Sequence, residues 1–314
     1  VVTTVLVCAG CCFGGRIRHP LHTTPRPRSL DKYTAVGLGA TTGAKPEDLY
    51  LDMMKRTLVN VIYEDKPQWL YDDRKQPFLS DAGFDLEYRV RGEDVPRQAH
   101  TMTGLVRLNN VQELVNDVVR RKIPGDLIET GVYRGGTTVF MKACLRALGA
   151  EDRNVWVCDT FQPQGEEAGA VANFVFLPIA RLLASIPGRA YRRAFFEMVQ
   201  RVSAASKMAS FPLCEDADDN SVDVLMFVLR YAGNYAPGVG TSLDEVKETF
   251  AKYGVLDDKV KFLKGFFSDT IPSAGIEKLS VIRLDGDTYE STMTALEPLY
   301  PKLQVGGYVI VDDY

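Results

Sequence analysis

The chain has 314 residues, 46% of them hydrophobic and 25% charged, and carries a net charge of -4. This composition describes a globular chain that can bury a large core, as one domain or one domain with an appendage. It excludes the basic stripe of a nucleic-acid binder, and the cysteines, clustered at Cys8, Cys11 and Cys12 and isolated at Cys144, Cys158 and Cys214, write neither a disulfide framework nor a zinc ribbon.

Residues 1–45 read as a leader, disordered or targeting. VVTTVLVCAGCCFGG is an apolar run of about 15 residues, short of the roughly 18 to 20 that cross a bilayer, and fits the tail of a membrane or signal segment. RIRHPLHTTPRPRSLDKY follows, rich in Arg, Pro and Thr with no acid before Asp31. The default location is cytoplasmic, and organellar or membrane-proximal if the leader targets.

The folded part is expected to begin at PEDLYLDMMKRTLVNVIY, where Pro46 suits a first helical turn and Leu51, Met54, Leu58, Val61 and Ile62 repeat at helical spacing. A polar stretch from Glu64 to Arg97 separates it from a second amphipathic helix, LNNVQELVNDVVRRK. Strands and helices then alternate: GDLIET, TTVFMKACLRALG and NVWVCDT, and, after an interruption, SLDEVKETFAKYG, VKFLKG, LSVIRLD, STMTALEPLY and GGYVIVDD. This pattern predicts a doubly wound parallel α/β sheet with its ligands at the carboxyl ends of the strands. Tyr314 follows the last strand directly, so the sheet is expected to be truncated after its fifth strand.

Chemistry-bearing residues gather at those strand ends. Glu129 leads into TGVYRGGTT, whose Gly131, Gly135 and Gly136 permit a tight turn and close ligand approach, with Thr137 as a candidate helix cap. Asp159 ends the next strand and can accept both hydroxyls of a ribose, while Glu129 can hold a cationic group. The spacing G-x-x-x-G-G departs from the G-x-G-x-x-G of a pyrophosphate cradle, so a nucleoside without phosphates, S-adenosylmethionine, fits better than NAD or FAD. A nicotinamide oxidoreductase stays open as the weaker alternative. Asp285 with Asp287, and Asp312 with Asp313, place paired carboxylates at two further strand ends, where a divalent cation is one answer to the charge.

The stretch from about Pro163 to Gly240 is an insertion containing two expected helices of opposite charge, one of them with Arg181, Arg189, Arg192, Arg193 and Arg201. It reads as an extra helical layer or mistranslated intron, as a substrate lid or oligomer contact, or as an interfacial membrane helix. A homo-oligomer is compatible with the sequence but not indicated by it.

GDLIETGVYRGG, VWVCDTFQ, YGVLDDKVKFLKGFFSDTIP, LDGDTYESTM and LYPKLQVGGYVIVDDY resemble the TylF/macrocin O-methyltransferase family, and DLYLDMMKRTLVNVIYED and AHTMTGLVRLNN resemble its N-terminal region. The resemblance runs from about Asp48 to Tyr314 apart from the insertion. It implies a class I, Rossmann-like methyltransferase that uses S-adenosylmethionine and Mg²⁺ to methylate a hydroxyl of a sugar or glycosylated metabolite. Residues 46–123 would be a helical cover and 124–314 the cofactor-binding domain. The resemblance implies cofactor contacts at Thr101, Met102, Glu129, Gly131, Tyr133, Arg134, Gly135, Gly136, Asp159, Thr160, Phe161, Gln162, Phe267 and Ser268. It implies metal ligation by Asp285, Asp312 and Asp313, with Asp285 as general base too. Asp287 reads as the cap of the following helix, and His100 as structural or turned toward substrate. Position 288 is Thr, where related catechol-type enzymes often place a Lys. The competing reading is a truncated, non-catalytic relative that keeps cofactor binding or serves as an interaction module.

Overall fold

The computed structural model describes residues 5–8, 43–71, 77–79, 83–162 and 240–312; the rest of the leader, most of the insertion with both its expected helices, and Asp313 lie outside the described residues. The chain divides into a unit of Val1–Phe161 with Ser242–Tyr314 and a unit of Gln162–Thr241. In the first unit, the order is β1 (Val5–Cys8), α1 (Pro46–Leu58), β2 (Pro67–Tyr71), β3 (Pro77–Leu79), α2 (Leu86–Arg91), β4 (Asp94–Pro96), α3 (Gly104–Arg120), β5 (Asp126–Thr130), α4 (Gly136–Ala147) and β6 (Val155–Asp159). After the insertion come α5 (Leu243–Lys252), β7 (Val260–Lys264), α6 (Phe267–Thr270), β8 (Leu279–Leu284), α7 (Tyr289–Leu299), a 3₁₀ turn at Tyr300–Lys302 and β9 (Leu303–Val311).

Six strands form a parallel sheet in the order β1, β9, β8, β5, β6, β7. The five expected strands are present, and a sixth comes from the leader, where Val5 to Cys8 run beside Tyr308 to Val311. Its β-branched, apolar sequence suits a strand. Side chains alternate between two cores, as a period of two requires. Leu127, Val155, Val157, Val281 and Ile310 join the core built with α1, α3, α4 and α5. Ile128, Trp156, Cys158, Ile282, Leu284 and Val309 join the other, closed by α7 and Ile271. The order of strands reverses between β5 and β8, which opens a crevice at their carboxyl ends.

The local chemistry is visible at the helix ends. Ser242 and Glu245 form a reciprocal capping box on α5, and Pro46 opens α1 as expected. Helix α1 stops at Leu58 rather than Tyr63, because Asn60 and Glu64 turn with φ of 54° and 50°. The polar stretch 64–97 holds a small antiparallel sheet of β3, β2 and β4 together with α2, which Asp85 caps by accepting from the N–H groups of Glu87 and Tyr88. Buried Arg89 pins this region by pairing with Asp94 at 2.8 Å and donating to the carbonyls of Val59 and Asp65. Among the described residues, no helix is long and apolar enough to cross a membrane.

Candidate functional site

The loop after β5 has the tight course its glycines suggested. Gly131 has φ of 79°, and a Cβ there would lie 1.7 Å from the backbone oxygen of Asp285, so only glycine lets the ends of β5 and β8 meet. Gly135, with φ of 81°, is the N-cap of α4, which has no side-chain cap. Thr137 is therefore not the cap. Its hydroxyl closes a buried triangle with Thr101 and Thr103 at 2.8 to 3.0 Å. The carbonyl of His100 accepts the N–H of Gly136 at 3.0 Å. Residues 100–103 are thereby held against the glycine loop, where the cover was expected. Arg134 adds to this clamp by donating to the carbonyls of Arg97 and Ala99, with its guanidinium 4.9 Å from the centre of the Tyr133 ring.

Asp159 stands half-buried at the end of β6. Its Oδ2 accepts from the Val132 N–H at 2.9 Å and its Oδ1 from the Phe161 N–H at 3.0 Å. These bonds hold the carboxylate beside the glycine loop while leaving lone pairs for a polyol. Phe161 is buried with φ of 49°; Thr160 donates to Asp159, and Gln162 is exposed. Across the strand ends, Phe267 packs on the second core, and Ser268 is exposed with its hydroxyl on Asp269.

The acidic cluster is organised by a residue the sequence reading passed over. Arg283 lies in β8 in register with Glu129 of β5, and both side chains are 1% exposed. Its Nη1 contacts Glu129 and sits 2.7 Å from Asp285, and its Nη2 lies 2.8 Å from Asp312. The cation between the carboxylates is thus a guanidinium in this structure. Glu129, expected to hold a cationic group, holds this one, and its other oxygen accepts from Thr138 of α4. Burial pushes the Glu129 carboxyl up to about 7, against the pull of Arg283 and Thr138. Burial also opposes the charge on Arg283, but Asp285, Asp312 and Glu129 together raise its pKa well above the ordinary value. Arg107 of α3 approaches from the cover, pairing with Asp312 while donating to the carbonyls of Thr103, Gly92 and Met102. The signal for Arg283 was present in LSVIRLD: a charged residue inside an apolar central strand demands a buried partner.

Asp287 is not the helix cap. Thr288 caps α7, its side chain accepting from the Ser291 N–H, while Asp287 turns with φ of 60°. Asp287 is open to water yet crowded by protein, and this desolvation, with the carboxylates of Asp285, Asp159 and Asp312, raises its carboxyl to about 6. Water reaching it screens part of that effect. His100 is half-buried, with Nδ1 3.0 Å from the hydroxyl of Tyr253 and the two rings edge to face. Burial, then Lys252 and Arg134, lowers its pKa. These contacts fit the structural reading of this histidine.

Asp285 and Asp312 supply the hard oxygens that Mg²⁺ takes. Asp312 Oδ1 is buried and faces Arg283 Nη2 without an aligned hydrogen bond, so it is an acceptor that a cation would satisfy. The donor chemistry therefore fits. Among the described residues, no group of three or more His, Cys, Asp or Glu side chains is arranged to hold a metal, and the third expected ligand, Asp313, lies outside them.

The model of the macrocin-O-methyltransferase (TylF) family matches residues 47–173 and 230–314, leaving the middle of the insertion unmatched. The chain is 40% identical over 267 residues to the 8-demethyl-8-(2,3-dimethoxy-alpha-L-rhamnosyl)-tetracenomycin-C 4'-O-methyltransferase of Streptomyces olivaceus, covering 85% of this chain and 80% of that one. It is 38% identical over 267 residues to the mycinamicin III 3''-O-methyltransferase of Micromonospora griseorubida, covering 85% and 83%. The demethyldecarbamoylnovobiocin O-methyltransferase of Streptomyces niveus is 38% identical over 268 residues, covering 85% and 80%. The solved structure of the O-methyltransferase NovP is similar with a TM-score of 0.58 and 36% identity, over 85% of this chain and 84% of that one. The chain belongs to the macrocin-O-methyltransferase (TylF) family and is an S-adenosylmethionine-dependent O-methyltransferase.

Proposed function

We propose that this chain methylates a hydroxyl of a sugar or glycosylated metabolite, with S-adenosylmethionine seated between the glycine loop and Asp159 and with Mg²⁺ at Asp285, Asp312 and Asp313. The observation that carries the reading is the meeting, at the reversal of strand order, of a ribose-type acceptor, Asp159, with the acids that end β8 and β9. The relatives support the acceptor class, since one is named for a substrate carrying a rhamnosyl group. Family membership removes the nicotinamide oxidoreductase alternative, and the non-catalytic reading gains nothing from relatives that are all named as methyltransferases.

S-adenosylmethionine supplies an electrophilic methyl, and Mg²⁺, when bound, polarises the acceptor hydroxyl and lowers its pKa. The chain's own contribution is to align and deprotonate. Asp159 would orient the nucleoside through its ribose, and residues 100–103 would close over it, so that the acceptor oxygen meets the methyl in line. The proton needs a base, and the acids at this edge are the nearest candidates. Asp285 is one candidate and is ion-paired with Arg283; Asp287, exposed at the same edge, has its carboxyl raised to about 6 by desolvation and by the neighbouring acids. We therefore assign the general base to Asp287 and keep Asp285 as a metal ligand.

Isothermal titration tests the assignment. S-adenosylmethionine should bind the parent in EDTA, and Mg²⁺ should bind the cofactor-loaded protein; absence of any cofactor heat would overturn it.

A further inference from the structure

Arg283 links two halves of the site that the proposed function treats separately. A guanidinium offers five N–H donors in a rigid fork, and burying one is favourable only when acids surround it. Here the acids come from three neighbouring strands: Glu129 on β5, Asp285 just beyond β8 and Asp312 just beyond β9. Glu129 sits two residues before Gly131, at the root of the cofactor loop, and lies wholly in the core. Asp285, with a side chain 27% exposed, reaches the crevice. A residue that merely neutralised Glu129 would have no need to extend to the rim, yet the same fork does.

We propose that Arg283 is a positioning residue that sets the cofactor loop and the Asp285–Asp312 pair together, so that one buried guanidinium fixes the geometry of both binding sites. This rests on the assignment of S-adenosylmethionine to the glycine loop and of a divalent cation to Asp285 and Asp312. Glu129 is then the inner anchor. Its two oxygens accept from Arg283 and Thr138, which fixes the carboxylate at the root of the loop.

The test compares the parent with two variants. Arg283→Lys keeps the charge and loses the fork. The double variant Glu129→Gln with Arg283→Met removes the two wholly buried charges together, leaving Asp312 paired with Arg107 and Asp285 at the crevice. Far-UV circular dichroism and urea unfolding identify folded protein. Affinity for S-adenosylmethionine is measured calorimetrically in EDTA, and affinity for Mn²⁺, as a spectroscopic substitute for Mg²⁺, by electron paramagnetic resonance. In the folded double variant both affinities should fall at least about tenfold, the scale of losing a partner that orients metal ligands. Arg283→Lys should fall between it and the parent. A folded double variant that keeps either affinity at the parental value overturns the proposal and leaves Arg283 a purely structural residue. A parent that binds neither probe overturns the function reading instead, before any variant is compared.

Discussion

Asp159→Ala is the perturbation whose cost can be worked from the structure in most detail. Its carboxylate accepts two backbone N–H groups, from Val132 in the glycine loop and from Phe161 after β6, and both residues are buried. A hydrogen bond to a charged acceptor contributes about 1.5 to 3 kcal/mol. Water can partly replace it at this half-buried position, so a stability loss of roughly 2 to 4 kcal/mol is expected. Cofactor affinity should fall separately by about 1 to 3 kcal/mol, or roughly tenfold to a hundredfold, because the ribose loses its acceptor and the loop its tether. Asp159→Asn keeps an oxygen for one N–H and turns an amide toward the other, so it should lie between parent and Ala on both scales. Urea unfolding gives the first quantity and calorimetric titration with S-adenosylmethionine the second. A folded Asp159→Ala variant with parental cofactor affinity would remove the ribose assignment, whatever its stability.

The remaining predictions concern the loops and the insertion. Gly131→Ala should destabilise by about 2 to 5 kcal/mol in urea unfolding, combining a left-handed backbone with overlap on the Asp285 carbonyl; a parental midpoint would contradict the close approach of β5 and β8. The carboxyl of Asp287 is raised to about 6, so it gains a proton, and ceases to be a base, as pH falls through that value. A cation held by Asp285 and Asp312 would pull that value down, so the methylation rate should drop on the acid side below pH 6, and Asp287→Asn should abolish that limb and lower the rate at least ~10²-fold, whereas an unaltered profile would return the role to Asp285. The family match omits 174–229, so a chain rejoined across that gap should still bind S-adenosylmethionine; a folded deletion without binding would make the insertion part of the site.

Much of this architecture could be read from pattern because central parallel strands are short, apolar and bounded by their own ligand-bearing ends. GDLIET, NVWVCDT and LSVIRLD each fell within a residue or two of the observed strand. The small sheet at residues 67–96 is hard to read from pattern because its strands are three to five residues long and each carries a proline, with too few alternations to show a period. Val5–Cys8 was hidden for another reason, since its partner β9 lies at the far end of the chain. In the site, Asp159 and Gly131 declared themselves through the strand-end and turn chemistry they serve. The roles of Thr137 and Asp287 did not, because competing caps, Gly135 and Thr288, were one or two residues away and the hydroxyl partners of Thr137 are 34 and 36 positions distant. Arg283 shows the limit most clearly: an arginine between Ile282 and Leu284 looks like an interruption until the register sets it beside Glu129.

The most direct test of the central claim is methyl transfer itself. The chain should be incubated with isotopically methyl-labelled S-adenosylmethionine, Mg²⁺ and a panel of glycosylated small molecules that carry free sugar hydroxyls, and the products located by mass spectrometry and nuclear magnetic resonance. The account predicts one labelled methyl on a sugar oxygen of at least one acceptor, lost in Asp287→Asn and sharply reduced when EDTA replaces Mg²⁺. Label found on nitrogen, carbon or a non-sugar oxygen across the panel would contradict the acceptor class, and a rate indifferent to EDTA would contradict the metal assignment.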